Sequence, residues 1–465
     1  MDISTTTLTP DQEIASNEFF GFLLGDRPWM LISGDAGTGK SFLMSWLVNV
    51  VLDEYQSTCK MLGKKAVFDT VHFAATTNKA AESLERSLGR HVSTIHSLMR
   101  VIPWTDYKTG KTSLKKRNDW GVIREAIVFI DECSMLDNNT MDLINETFID
   151  CKIVFVGDHA QLAPIGEDLS RCFLDLAPDD PAIFMGTPVR NAGQPALVAL
   201  CKQLRRTVET GIFEPIQEVE GVVDFLSETE MQDGLEHYFT DRDPNCRVVC
   251  YTNAQVAAYN DFIREDVRGL PAELQAGDAM VVSKAFNSGK VSLSVEREVT
   301  LTSVSKETLW TQHQADFPQI PPLPYVTVRL ANSPMDFMVP RDPALLRRIV
   351  SAYKRRKEFG TSAAINDSFL HLQEKSASTV YKAQGATHEA VFIDLSDIGT
   401  SFDPAQTARM LFVAASRAKE RVFFYGALPG RYHNSNGKAL WEPFQFFQTP
   451  LTESSPPSLK EAATA

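Results

Sequence analysis

Residues 29–41 read Trp29-Met30-Leu31-Ile32-Ser33-Gly34-Asp35-Ala36-Gly37-Thr38-Gly39-Lys40-Ser41. The apolar run at 29–32 predicts a short buried strand, and Phe42 to Val51 predicts a helix after it. Between them Gly34 to Ser41 fits G-x-x-x-x-G-K-[ST], in the strand–loop–helix context that gives the pattern meaning. Glycines let backbone N–H groups turn toward phosphate oxygens, and a helix N-terminus adds a favourable partial positive charge. Gly34, Ala36, Gly37, Thr38 and Gly39 would form this cradle. Lys40 would reach the β- and γ-phosphates, and Ser41 would place its hydroxyl on Mg²⁺. A glycine turn that merely caps a helix is the plainer alternative.

Working outward, three more apolar runs predict strands: Val71 to Ala75, Ile127 to Ile130 and Ile153 to Val156. Short β-rich runs separated by helical stretches indicate an α/β fold, a parallel sheet covered on both faces. The run at 127–130 ends in Asp131-Glu132. Asp131 would hold Mg²⁺ through water, and Glu132 would orient or deprotonate an attacking water.

Residues 99–120 break the rhythm, with a turn-like Tyr107-Lys108-Thr109-Gly110-Lys111 centre that predicts an inserted β-hairpin. After Arg190 comes a helical stretch to about Arg206. A second strand set follows at Arg247 to Tyr251, Ala390 to Asp394 and Arg421 to Tyr425. The block 272–375 lies inside this second unit and reads as a β-barrel-like insertion with a basic helical projection at 341–359. The expected division is therefore 1–190, carrying 99–120; 191–271 with 376–430; the inserted 272–375; and a C-terminal extension, 431–465, with a polar and disordered tail.

The chain has 465 residues, which at about 150 per domain suggests roughly three domains. Its net charge of −13 argues against coating nucleic acid by bulk electrostatics, so any strand binding must rest on local groups. No apolar stretch is long enough to span a membrane, and no secretory pattern opens the chain. The seven cysteines form no CxxC pair, which makes a zinc ribbon or disulfide framework improbable and suits a reducing, cytoplasmic setting.

Asp131-Glu132-Cys133-Ser134-Met135 and Val156-Gly157-Asp158-His159-Ala160-Gln161-Leu162-Ala163-Pro164-Ile165 resemble motifs II and III of superfamily 1 helicases, and more closely their 5′→3′ RecD-like branch. Ser376 to Gly385 resembles motif V, Leu411 to Lys419 motif VI, and Leu8-Thr9-Pro10-Asp11-Gln12 the glutamine motif that reads adenine. Length and motif order are similar to the phage Dda-type helicases. The resemblance covers about residues 8–426, with Tyr381 where the family usually has His and Ser416 where it has Thr.

This resemblance implies two RecA-like parallel-sheet domains with an inserted hairpin wedge and an inserted SH3-like barrel. It implies an ATP- and Mg²⁺-dependent DNA helicase that moves 5′→3′ on single strands. Gln12 and Gly385 would join the nucleotide site, Gln161 would sense the γ-phosphate, and Arg190 and Arg417 would be arginine fingers. Thr76, Asn78, Lys79, Thr94, His96, Thr252, Asn253, Thr379, Tyr381 and Lys382 would line the strand path, with Trp104 or Tyr107 as the pin that traps the fork. Thr94 and Asn253 also read as helix caps, and His96 as a core histidine. The implied partners are single-stranded and forked duplex DNA, with recruitment by replication proteins and a functional monomer. A nucleotide-gated strand-binding switch or loader with slow ATPase is the alternative reading.

Overall fold

A computed structural model describes residues 7–35, 37–105, 112–187, 189, 193–241, 244–288, 291–432 and 439–441, without side chains at 103–105 and 112. Three sheets organise these residues. The first is wholly parallel and runs Ala182–Met185, Trp29–Gly34, Lys152–Gly157, Ala126–Asp131, Thr70–Ala75, Ser93–Thr94 from edge to edge. The run Ala126-Ile127-Val128-Phe129-Ile130 is fully buried because side chains alternate across a strand and both faces of this sheet are covered. Ile127 and Phe129 enter one apolar cluster, beneath the helix Pro10–Leu24. Val128 and Ile130 enter the opposite one, with Met141 and Ile144 of the helix Asn138–Thr147. Each such fully buried side chain contributes about 1.5–3 kcal/mol of transfer free energy.

The second sheet repeats the plan in the order Val223–Leu226, Ala418–Tyr425, His388–Asp394, Cys246–Cys250, Ala377–Thr379, again all parallel. Val391 and Ile393 face one cluster, Ala390 and Phe392 the other. Ala160 and Leu162 belong to the loop after the first sheet's Lys152–Gly157 strand, yet they pack into the core of the second unit. The two units therefore meet through buried apolar contact as well as through the cleft described below.

Between the Cys246–Cys250 and Ala377–Thr379 strands the chain leaves to form an antiparallel half-barrel. Its strands are ordered Thr308–Trp310, Leu323–Leu330, Glu298–Val304, Ala279–Val282, Leu372–Glu374, with Asp336–Pro340 on Leu323–Leu330. The basic stretch at 347–359 belongs to the helix Pro343–Arg355, capped by Asp342, and its end. Leu346, Ile349 and Tyr353 of that helix lie against Phe317 and Phe369, so its apolar stripe braces the insertion while Arg347 and Arg348 face solvent. Arg264 anchors the half-barrel to the second unit through buried ion pairs with Asp278, at 2.7 Å, and Glu374.

In the first unit, Val101–Thr105 and Thr112–Lys116 pair antiparallel as an inserted hairpin. Trp104 stands opposite Ser113 in this ladder. Tyr107 lies outside the described residues, as do Ala36, Arg190 and the C-terminal tail beyond Trp441.

Candidate nucleotide cleft and strand groove

The Trp29–Gly34 strand ends where no side chain fits: a Cβ on Gly34 would stand 2.5 Å from the Met185 carbonyl oxygen. The chain then turns through Gly37 and Gly39, both at φ +84°, a region glycine adopts without steric cost. Lys40 begins the next helix, whose N-cap Gly39 supplies no side-chain acceptor. The helix's first N–H groups are thus left for an anion. Lys40 Nζ donates to the carbonyls of Gly34, at 2.8 Å, and Asp35, at 2.9 Å, which holds its charge over the loop. Gln12 caps its own helix with Thr9 and donates from Nε2 to the Thr38 carbonyl at 3.3 Å.

Asp131 and Glu132 close the Ala126–Asp131 strand beside this loop. Asp131 Oδ1 accepts the Glu132 N–H at 2.9 Å, and Glu132 sits in the left-handed region at φ +54°. Burial, then the neighbouring Glu132 charge, pushes the Asp131 carboxyl up to about 7. Two adjacent carboxylates, both half-buried, with Lys40 as the nearby cation, form a donor set that a divalent cation would satisfy.

The second unit completes the cleft. Arg417 lines it together with Gly37, Gly39, Lys40, Ser41, Asp131 and Glu132. Gln161 and Gly385 also border it. Arg417 is buried; its guanidinium donates to Ser416 Oγ at 2.7 Å and to the Val413 carbonyl at 3.0 Å. Ser416 therefore uses its hydroxyl to hold the arginine. Gln384 crosses between the units: its Nε2 donates to Glu132 Oε2 and to Gln161 Oε1, each at 3.1 Å. The Gln161 loop is gripped from the second unit as well, because Arg409 donates to the carbonyls of His159 and, at 2.7 Å, Gln161.

A second cavity adjoins the first across Gln384 and Gly385 and is lined by Thr76, Asn78, Lys79, Tyr381 and Lys382. Val295 and Glu296 reach it from the half-barrel insertion. Glu296, at φ +63°, pairs with Lys382 Nζ at 3.2 Å, so a carboxylate occupies the neighbourhood of the groove's lysines. Burial, then Arg247, pushes the Lys79 ammonium down. Tyr381 keeps its ring in the groove while its hydroxyl accepts from Gln406 Nε2 at 2.7 Å. Thr76 Oγ1 reaches the Glu132 carbonyl at 3.4 Å and so links the groove to the nucleotide cleft.

Other sequence-derived positions are not among this cavity's lining residues. Thr94 caps the short helix Ile95–Leu98, and His96 lies within 3.4 Å of Thr140 Oγ1. Thr252 caps the helix Asn253–Phe262 and donates to Asp397 Oδ1 at 2.7 Å, which leaves Asn253 exposed at the helix start. Thr379 caps Val380–Ala383 through the Lys382 N–H at 3.4 Å.

Arg205, Arg409 and Glu296 are absent from the sequence-derived set. Arg205 had a readable signal: it follows Cys201 by four residues and precedes Val208 by three, which puts a charge at the edge of an apolar stripe. Glu296 had none, because its placement depends on how the insertion folds back.

Comparison with known proteins fits this architecture. Residues 24–167 match the family described as AAA domain, and residues 376–425 match the UvrD-like helicase C-terminal domain. The ATP-dependent DNA helicase dda of Enterobacteria phage T4 is 22% identical over 452 residues, covering 90% of this chain and 99% of that protein. The RecBCD enzyme subunit RecD of Haemophilus influenzae is 21% identical, covering 85% of this chain and 66% of that protein. A Pif1 helicase structure from work on unwinding of forked duplex DNA superposes with a TM-score of 0.50 at 16% identity, covering 92% of this chain and 94% of that one. With the strand–loop–helix at Gly34–Ser41, the Asp131-Glu132 strand end and a second parallel sheet, the chain is similar over most of its length to the Dda and RecD helicases and shares the fold of the Pif1 structure.

Proposed function

We propose that the protein is an ATP-dependent DNA helicase that moves 5′→3′ on single-stranded DNA and opens the duplex ahead of it. The observation that carries this reading is the cleft where Lys40 and Asp131 of one sheet unit face Arg417 of the other, with Gln384 tied to both Glu132 and Gln161. Phosphoryl transfer needs positioning and charge neutralisation more than covalent chemistry. Lys40 and Arg417 would hold the triphosphate from opposite walls, and Gln12 the adenine edge. Ser41 and, through water, Asp131 would hold Mg²⁺, whose role when bound is to neutralise phosphate charge. Glu132 would orient the attacking water, and Gln161 and Gln384 would register the γ-phosphate.

Units 1–190 and 191–271 with 376–430 would act as two jaws, with the 99–120 hairpin as a wedge, 272–375 as an inserted brace over the strand groove and 431–465 as an extension. Closure on nucleotide would shift the Thr76–Lys79 wall against the Tyr381–Lys382 wall and so step along the strand. Both walls come from one chain, so a monomer suffices. The cysteines are unpaired, as suits a reducing cytoplasm, and among the described residues no helix is long and apolar enough to cross a membrane.

The test is unwinding of a duplex that bears only a 5′ or only a 3′ single-stranded tail, with Lys40→Ala as control. The expected result is strand separation from the 5′-tailed substrate alone, dependent on ATP and Mg²⁺ and lost in the variant. ATPase activity that no nucleic acid stimulates would overturn the reading.

A further inference from the structure

Behind the phosphate-binding loop lies a buried ion cluster that the proposed chemistry does not use. Its centre is Arg205, on the helix Pro195–Thr210 of the second unit, with only 6% of its side chain exposed. Arg205 Nη1 contacts Asp35 Oδ1 at 2.5 Å and Asp158 Oδ1 at 2.8 Å; its Nε contacts Glu209 Oε1 at 2.8 Å. The Phe184 ring lies 4.8 Å from the guanidinium, and His159 lies 3.4 Å from Nη2. Asp35 is the second residue of the phosphate-binding loop, and its carbonyl accepts from Lys40. Asp158 begins the turn that leads to Gln161 and fixes that turn by accepting the Ala160 N–H at 3.0 Å.

One guanidinium thus meets two carboxylates of the first unit and one of its own helix. Although burial pushes both carboxyls of the first unit up, Asp158 is held below the usual carboxylate range by Arg205, then His159, whereas Asp35, more weakly compensated, stays above it. Without the arginine, Asp158 would be a buried negative charge and Asp35 a half-buried one, with Lys40 the cation that both share. Lys40 would then be drawn toward them and away from a triphosphate, which is itself repelled by the same charges.

We propose that Arg205 is a positioning residue for nucleotide binding: it neutralises Asp35 and Asp158 together, and so leaves Lys40 available to phosphate while tying the loop and the Gln161 turn to the second unit. The proposal rests on the reading of the cleft as an ATP site. It makes the loop's conformation depend on the seating of the Pro195–Thr210 helix, so relative motion of the units reaches the phosphates from behind as well as through Arg417.

The experiment is a double-substitution cycle with Arg205→Met, Asp35→Asn and the two combined, reading KM and kcat for ATP at saturating single-stranded DNA. A coupling of this kind corresponds to roughly a tenfold rise in KM for Arg205→Met, with a smaller effect on kcat. Asp35→Asn in that background should bring KM back to within about threefold of the parent, as expected of interacting sites. A purely structural arginine would give no such rescue, because the second substitution adds nothing to packing. Far-ultraviolet circular dichroism and unchanged affinity for a dT oligomer establish that the variants fold. If Arg205→Met does not fold, Arg205→Lys, which keeps the charge, is compared with Arg205→Gln; KM should follow charge. A KM unchanged in Arg205→Met, no rescue by Asp35→Asn, or equal KM values for the Lys and Gln variants overturns the proposal. A parent protein without DNA-stimulated ATPase would instead overturn the reading of the site on which it rests.

Discussion

Replacing Gln384 tests whether the two units communicate through one amide. Its Nε2 donates to Glu132 Oε2 and Gln161 Oε1 at 3.1 Å each. The first of these bonds is to a carboxylate and contributes about 1.5–3 kcal/mol, the second about 1 kcal/mol. Together they favour the closed arrangement by about 3 kcal/mol, or roughly a hundredfold in an equilibrium constant. Gln384→Ala should therefore lower kcat for DNA-stimulated ATP hydrolysis by about ten- to a hundredfold, the lower limit applying if water replaces part of the contact. KM for ATP should move by less than about threefold, because Lys40 and the loop amides are untouched. Gln384→Glu should be at least as severe, since it sets a second carboxylate against Glu132. The assay is steady-state ATP hydrolysis over a titration of dT oligomer, with equilibrium strand binding measured separately. A kcat within about twofold of the parent in both variants would refute the claim that this bridge transmits closure.

Glu296→Gln should tighten single-strand binding by removing the carboxylate that pairs with Lys382 at 3.2 Å. Fluorescence anisotropy over a salt series should show the slope of log affinity against log salt steepen by about one, as for one further phosphate contact; an unchanged slope would count against the groove. His388 provides the pH test. Burial, then Arg247, Lys79, Arg417 and Lys419, push this imidazole from 6.5 down to about 3. Between those values the unfolded chain binds the proton and the folded one does not, so stability falls as pH drops. The loss is about 2 kcal/mol at pH 5. Urea unfolding midpoints at pH 7 and pH 5 should reveal it, and His388→Gln should remove most of the difference; an equal loss in that variant would assign the acid sensitivity elsewhere.

How much of this was legible in the sequence depends on where each cause lies. The seven interior strands of the two parallel sheets were legible because burial on two faces demands continuous apolar runs such as Ala126 to Ile130, and the short runs punctuated by helices leave few other folds. The edge strands Ala182–Met185, Ser93–Thr94, Val223–Leu226 and Ala377–Thr379 were not, being at most four residues long; in Val223–Leu226 only Val223 is buried. For the basic helical projection at 341–359 the charges are conspicuous in sequence, but the apolar stripe of Leu346, Ile349 and Tyr353 decides where the helix sits.

The site divides along the same line. The turn through Gly34, Gly37 and Gly39 into the Lys40 helix was legible because its conformation is set by neighbours in sequence: the φ of +84° at Gly37 and Gly39 is what the glycine pattern predicts. Arg205 was not, because its meaning comes from Asp35 and Asp158, 170 and 47 residues away, and from a helix that belongs to the other unit. Glu296 is further removed, since it enters the groove only through the return path of the insertion. What local sequence specifies here is the strand–loop–helix on which the proposed triphosphate site rests. What it leaves unspecified is the linkage between units through Arg205, Gln384 and Arg409. In a motor that linkage turns hydrolysis into movement, so the residues hardest to read from sequence are the ones on which translocation, as distinct from ATP binding, should depend most strongly.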